Sequence, residues 1–211
     1  VRRILRLMFR TNMNQSRPLG RINNQEHIDV ARKIAGEGIV LLKNEASFFP
    51  INPSKKITIA VIGENATKSM TIGGGSSELK ALNEVTPLDG LKNRFKNATI
   101  IHAMGYASGP SAYGRVIPST LDANKLKKEA IEAASKADIV LFFGGLNKNH
   151  LQDCEGVDRT EYKLPFGQDE LINEILKVNK NTGLVLVSGN AVEMPWISNV
   201  KAIMQTWYLG S

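Results

Sequence analysis

Six side chains with usable chemistry crowd between positions 150 and 159: His150, Asp153, Cys154, Glu155, Asp158 and Arg159. Four readings follow from these residue types. His150, Asp153, Cys154 and Glu155 make a ligand set for a divalent metal, but their spacing matches none of the common zinc sites. Cys154 with His150 as its base makes a nucleophile pair, although close neighbours in one loop seldom work that way. A solvated loop braced through Asp158 and Arg159 needs no chemistry at all. The fourth reading is proton transfer by a carboxylic acid. Glu155 stands between Cys154 and Gly156, where the backbone can bend tightly and aim the carboxyl into a cleft. A general acid working near neutral pH needs a raised pKa, which partial burial supplies, so Glu155 is expected to be partly buried.

A second segment, Gly73-Gly74-Gly75-Ser76-Ser77, can turn backbone N–H groups toward a ligand. It lacks the Gly-x-x-x-x-Gly-Lys-Ser/Thr spacing of a phosphate loop. It also lacks Gly-x-Gly-x-x-Gly at a strand-to-helix turn, which removes most support for a nucleotide-binding domain. A flexible turn or close backbone packing stays open for these glycines. Glu193 and Trp196, next to Pro195, read as the start of a turn or helix packed on the scaffold.

Such loops need rigid elements behind them. Short apolar runs at Ile57–Ile62, Ala98–Ile101, Ile139–Phe143, Leu184–Val187 and Ala202–Met204 alternate with helical stretches near 86–95, 122–136 and 168–179. Continuous rather than alternating hydrophobicity predicts strands buried on both faces. Strands alternating with helices predict a mostly parallel sheet with helices on both faces, an α/β sandwich. Ligand sites in such sheets lie outside the carboxyl ends of the strands, which is where the loops described above begin. Earlier in the chain, Asn23 and Glu26 resemble a capping box. Ile28, Ala31, Ala35, Gly38 and Leu42 recur from there at helical spacing.

The net charge of +7 is concentrated at one end. Arg2, Arg3, Arg6, Arg10, Arg17 and Arg21 fall in the first 21 residues, which hold no acid, so the remainder is almost neutral. A nucleic-acid-binding domain carries its basic excess on the folded surface, and this body does not. No apolar run approaches the ~20 residues of a membrane span, and no membrane partner is expected. The single Cys154 excludes an internal disulfide and a cysteine metal cluster. No metal or other cofactor is expected.

Set in order, the motifs resemble glycoside hydrolase family 3, the β-glucosidase family, almost collinearly along the chain. The residues that carry the likeness are Glu37-Gly38-Ile39-Val40-Leu41-Leu42-Lys43-Asn44, Ile59-Ala60-Val61-Ile62-Gly63, Gly73–Ser77, Thr86-Pro87-Leu88, Glu155-Gly156-x-Asp158-Arg159, Gln168-Asp169-Glu170-Leu171-Ile172, Val192-Glu193-Met194-Pro195-Trp196 and Trp207-Tyr208. The resemblance implies the family's second domain, an α/β sandwich, with Ala31–Asn44 as its opening helix. Residues 1–24 would be the basic helix and linker leaving an N-terminal TIM barrel, and 25–211 the sandwich, incomplete at its C-terminal end. It implies a retaining mechanism in which an Asp nucleophile comes from the barrel and Glu155 is the acid/base. Gly74, Gly75 and Ser76 would line the substrate site, and Asp158 and Arg159 would brace the Glu155 loop. The implied partners are the barrel and a β-linked glucoside, xyloside or oligosaccharide; relatives are often exported to the periplasm or beyond, and the residues themselves leave the compartment open. Without the barrel the chain is expected to be inactive. The alternative is a carbohydrate-binding or scaffold domain in which Glu155 merely contacts sugar hydroxyls.

Overall fold

The five apolar runs all become strands, and a sixth joins them. In chain order the strands are β1 (Val40–Asn44), β2 (Thr58–Ile62), β3 (Thr99–Ala103), β4 (Ile139–Gly145), β5 (Thr182–Val187) and β6 (Ala202–Gln205). The helices are α1 (Arg2–Arg10), α2 (Gln25–Gly38), α3 (Pro87–Arg94), α4 (Ala123–Ser135) and α5 (Gln168–Val178). The structure, a computed structural model, describes every residue except 12, 14, 23, 69, 72–74, 77–80, 113 and 209–211.

One sheet runs β1-β6-β5-β4-β2-β3, parallel throughout except for β1, which lies antiparallel to β6. The central strands send alternate side chains to opposite faces, as strand geometry requires. Ala60, Ile62, Val140, Phe142, Leu184 and Leu186 meet α4 and α5 on one side. Ile59, Val61, Leu141, Phe143 and Val185 meet Leu88 of α3 and the Phe48–Ile51 segment on the other. Both faces are covered, so the sheet is the expected α/β sandwich.

Local sequence explains the helix starts. Thr86 caps α3 by accepting the Asp89 N–H, with Pro87 in the first turn where a missing N–H costs nothing. Asp122 caps α4 by accepting from Asn124 and Lys125. At α2 the cap is Asn24, whose Oδ1 accepts the His27 N–H at 2.8 Å; Asn23 lies outside the described residues. The helical phase through Leu42 fails. Helix α2 ends at Gly38, and Val40–Asn44 pairs with β6 through Val40↔Gln205 and Leu41↔Met204. Two glycines lower the helix preference of its last turn, and Ile39-Val40 then favours extended backbone. Neither α1 nor α2 buries a residue among those described. The Trp207 indole fastens the end of α2 by donating to the Gly38 carbonyl at 2.9 Å.

Trp196 is fully buried in the larger core, inside a turn where Ile197 and Asn199 N–H groups bond back to Met194 and Trp196. Its indole donates to Asp169 Oδ1 at 2.8 Å, and the Leu164 N–H reaches Asp169 Oδ2 at 3.3 Å. Burial nevertheless holds the Asp169 carboxyl above its ordinary value, the two hydrogen bonds offsetting only part of that effect. Below about pH 3.9, Asp169 is protonated folded and unfolded and costs nothing. As pH rises through the higher folded pKa, the cost of the buried charge develops and stability is lost. Asp169→Asn is therefore expected to gain on the parent chain between about pH 4 and pH 6 in urea unfolding. An identical difference at both pH values would contradict this assignment.

Candidate functional site

The chain moves from β2 to β3 in one direction and from β4 through β5 to β6 in the other, so the sheet's switch point lies between β2 and β4. Outside the carboxyl ends of these two strands is where an α/β sheet offers a crevice. The two exits are locked together there. The Asn65 amide donates to the Gly144 and Leu146 carbonyls, each at 3.1 Å. The loop that leaves β4 folds into a tight turn, with Gln152 N–H bonded to Asn149 and Asp153 N–H bonded to Asn147.

Glu155 sits on this loop with its side chain exposed, facing Gly75 and Ser76. The Ser76 N–H donates to Glu155 Oε2 at 2.5 Å across 79 residues of sequence. Partial burial does not raise its pKa, contrary to expectation. The carboxyl is held below the ordinary glutamate value, first by the Ser76 N–H, then by the Ser76 side chain, with slight desolvation opposing them. Donors aimed at a carboxylate favour its charged form, and an exposed group has little desolvation to counter them. Gly75 makes the close approach possible. Its φ is +133°, and a methyl there would lie 2.6 Å from Glu155 Cβ. Gly75→Ala should push the two loops apart and raise the Glu155 titration back toward that of an ordinary glutamate, measured by carboxyl NMR. An unmoved titration would show that Gly75 does not set this contact. Gly74 lies outside the described residues.

The bracing of the loop differs from expectation in one residue. Arg159 reaches the β5–β6 connection, its Nη2 donating to Asn190 Oδ1 at 2.7 Å and to the Ala191 carbonyl. Asp158 is exposed and makes no hydrogen bond or ion pair among the described residues. The carboxylate in that role is Asp153, because the turn at Asn147–Asp153 aims it at the β5–β6 connection. It accepts from Gly189 N–H at 2.6 Å, Asn190 Nδ2 at 2.6 Å and the Tyr208 hydroxyl at 2.8 Å. Burial pushes the Tyr208 phenol well up, with the neighbouring Asp153 charge adding to it, so Tyr208 stays a neutral donor. The Lys148 ammonium covers its ring at 3.8 Å. Glu155 is thus carried on a loop pinned from both sides, while its own carboxyl projects free of the braces.

The other readings of the loop find no support in the geometry. Among the described residues no three His, Cys, Asp or Glu side chains converge on a point that could hold a metal ion. His150 Nδ1 is buried with no hydrogen-bond partner, so it accepts nothing from Cys154. Sequence reasoning missed Asn190 and Tyr208 as parts of the support. Only Asp153 carried a detectable signal, as one acid of the crowded loop, and it was assigned to the metal reading.

Residues 39–211 match the Glycosyl hydrolase family 3 C-terminal domain. The chain is 50% identical over 216 aligned residues to Beta-glucosidase BoGH3A of Bacteroides ovatus, covering 99% of this chain and 29% of that protein. It is 34% identical to the exo-alpha-(1->6)-L-arabinopyranosidase of Bifidobacterium breve, over 90% of this chain and 24% of that one. The crystal structure of the Bifidobacterium adolescentis GH3 beta-glucosidase superposes with a TM-score of 0.80 at 31% identity, covering 98% of this chain and 28% of that one. The chain therefore spans less than a third of the length of these relatives. With a family match over most of its length and the same sandwich in a solved relative, the chain belongs to glycoside hydrolase family 3, as a C-terminal domain of that family.

Proposed function

We propose that this chain is the acid/base domain of a retaining glycosidase that acts on terminal β-linked glucosyl or xylosyl residues, with Glu155 as the proton donor and acceptor. The observation that carries the reading is the placement of Glu155: an exposed carboxyl on a loop braced at both sides, outside the carboxyl ends of the sheet. That is where a second domain can close over it. Retaining hydrolysis needs two carboxyl groups about 5–5.5 Å apart. The attacking one would come from a barrel domain of the same parent protein. Glu155 would give its proton to the leaving oxygen as the nucleophile forms the glycosyl ester. It would then take a proton from the water that cleaves that ester.

The lowered pKa of Glu155 fits a domain considered by itself. Closure by the barrel and substrate would desolvate the carboxyl, raising the pKa toward the working range of an acid. The basic, fully exposed α1 would lie against the barrel, its apolar residues Ile4, Leu7 and Phe9 covered. Relatives named for glucose and for arabinopyranose share this domain, which supports sugar choice residing elsewhere in the parent.

The test is a chimera in which this chain replaces its counterpart in the Bacteroides ovatus relative. Hydrolysis of an aryl β-glucoside by the chimera, and none by the 211-residue chain alone, is the expected result. A folded chimera that hydrolyses nothing, or an active isolated chain, would overturn the reading.

A further inference from the structure

At the roots of the two loops that meet at the Glu155–Ser76 contact lies a half-buried polar cluster that the chemistry above does not use. The Lys68 ammonium donates to Ser108 Oγ at 2.6 Å and to Asn149 Oδ1 at 3.4 Å, and pairs with Glu64 at 3.8 Å. Glu64 in turn accepts the Ser108 N–H at 3.1 Å. Asn149, almost fully buried, donates its amide to the Ser108 and Gly109 carbonyls, each at 3.3 Å, and accepts from Ser111 Oγ at 2.7 Å. These residues come from different connections. Glu64 and Lys68 follow β2 and lead into the Gly75–Ser76 loop. Ser108 and Ser111 follow β3, and Asn149 stands at the root of the Glu155 loop. The neck of the Gly75–Ser76 loop is closed separately, by Glu84 accepting from Met70 N–H and the Thr71 hydroxyl.

We propose that Lys68 and Asn149 form an anchoring post that sets the position of Glu155 relative to Ser76. Both are positioning residues, acting through the roots of the two loops whose tips meet. Its value to catalysis rests on the reading of Glu155 as the acid/base, but its test does not. Lys68 holds the two roots to each other directly, on the side of the β3 exit, beside the Asn65 amide that ties the same two strand exits through the Gly144 and Leu146 carbonyls. Removing its ammonium leaves the Ser108 hydroxyl, Glu64 and Asn149 Oδ1 short of a donor in a site with little access to water. Such acceptors draw in water or rearrange rather than stay unpaired. The tip contact is then the first to fail, because a hydrogen bond is effectively gone beyond about 3.5 Å. Burial holds the Lys68 amine below its ordinary pKa, with Glu64 acting against it, as expected for a structural ammonium kept out of bulk water.

The experiment titrates the Glu155 carboxyl by NMR in the full 211-residue chain, together with the Ser76 amide shift. In Lys68→Met the Glu155 titration should rise toward that of an ordinary glutamate and the Ser76 amide should lose its dependence on it. In Lys68→Gln, which keeps a donor without the charge, both should stay nearer the parent. A folded Lys68→Met chain with both readouts unchanged overturns the proposal. Equal movement in the Gln and Met chains also overturns it, since the lost charge alone would then account for the effect. Should Lys68→Met fail to fold, Ser111→Ala decides: Ser111 is exposed, and its loss removes one bond to Asn149. A smaller rise of the same sign supports the post, and no rise overturns it. Hydrolysis by the chimera settles the role of Glu155 separately, so either proposal can fail while the other stands.

Discussion

Glu155→Ala in the assembled enzyme is expected to lower kcat/KM for an alkyl β-glucoside by about a hundred- to ten-thousandfold, the usual contribution of a positioned general acid. That corresponds to roughly 3–5 kcal/mol of lost transition-state stabilisation. The loss should depend on the leaving group. An alkoxide cannot depart without a proton, whereas a dinitrophenolate can, so activated aryl glucosides should lose far less in the step that forms the glycosyl ester. Hydrolysis of that ester still lacks its base, so it becomes the slow step for those substrates. Azide needs no deprotonation to attack, and the space left by the carboxyl admits it. Added azide should therefore restore turnover of the activated substrate and yield a β-glycosyl azide. Equal losses for good and poor leaving groups, with no azide product, would remove Glu155 from the proton-transfer role and leave it as a contact to sugar hydroxyls.

The second large effect is on stability. Trp196→Ala should destabilise the chain by about 3–5 kcal/mol, the range for deleting a buried aromatic ring. Trp196 is among the largest side chains with no exposed surface, and Val192 and Met194 pack on the same core cluster. The surrounding turn cannot collapse easily into the space, because β6 and α5 fix it from both sides. The substitution also strips Asp169 of its 2.8 Å indole donor, leaving a half-buried carboxylate with the weaker Leu164 contact. Against the ~5–15 kcal/mol that holds a typical domain together, this is a large fraction. The midpoint of urea unfolding should fall with the slope unchanged. Trp196→Phe, which keeps most of the ring volume and loses the hydrogen bond, should fall between the two. A loss below about 1 kcal/mol in the Ala chain would show that the ring is not the keystone of this core.

How much of this was legible beforehand differs from element to element. Strands β2, β4, β5 and β6 announced themselves because apolar residues run without interruption where both faces of a sheet are covered, whereas β3, read the same way, lies at the sheet edge and buries only Ala103. Strand β1 did not. Its Val40-Leu41-Leu42 continues the phase of the helix before it, and only pairing with β6, far along the chain, makes it a strand. The same division runs through the site. Crowded acids, a His and an Arg marked the Glu155 loop as the place to look, and the family likeness singled out Glu155. The charge state of that carboxyl was misjudged, since exposure and the Ser76 N–H depend on how two distant loops meet. Asp158 was named with Arg159 as a brace and Asp153 only as a metal ligand, yet it is Asp153 that the turn aims at Gly189 and Asn190.

By itself, then, the sequence determined the kinds of elements and their order, the concentration of positive charge ahead of Gln25, the family and the loop that bears Glu155. These depend on side-chain type and spacing over a few residues, which local backbone geometry reads directly. The tertiary structure alone decided which loops touch, which acid braces and which stays free, and what sets the Glu155 pKa. Those depend on distances between residues 36 to 79 positions apart in the chain, and hydrogen bonds of under 3 Å have no counterpart in sequence spacing until the sheet has brought their ends together.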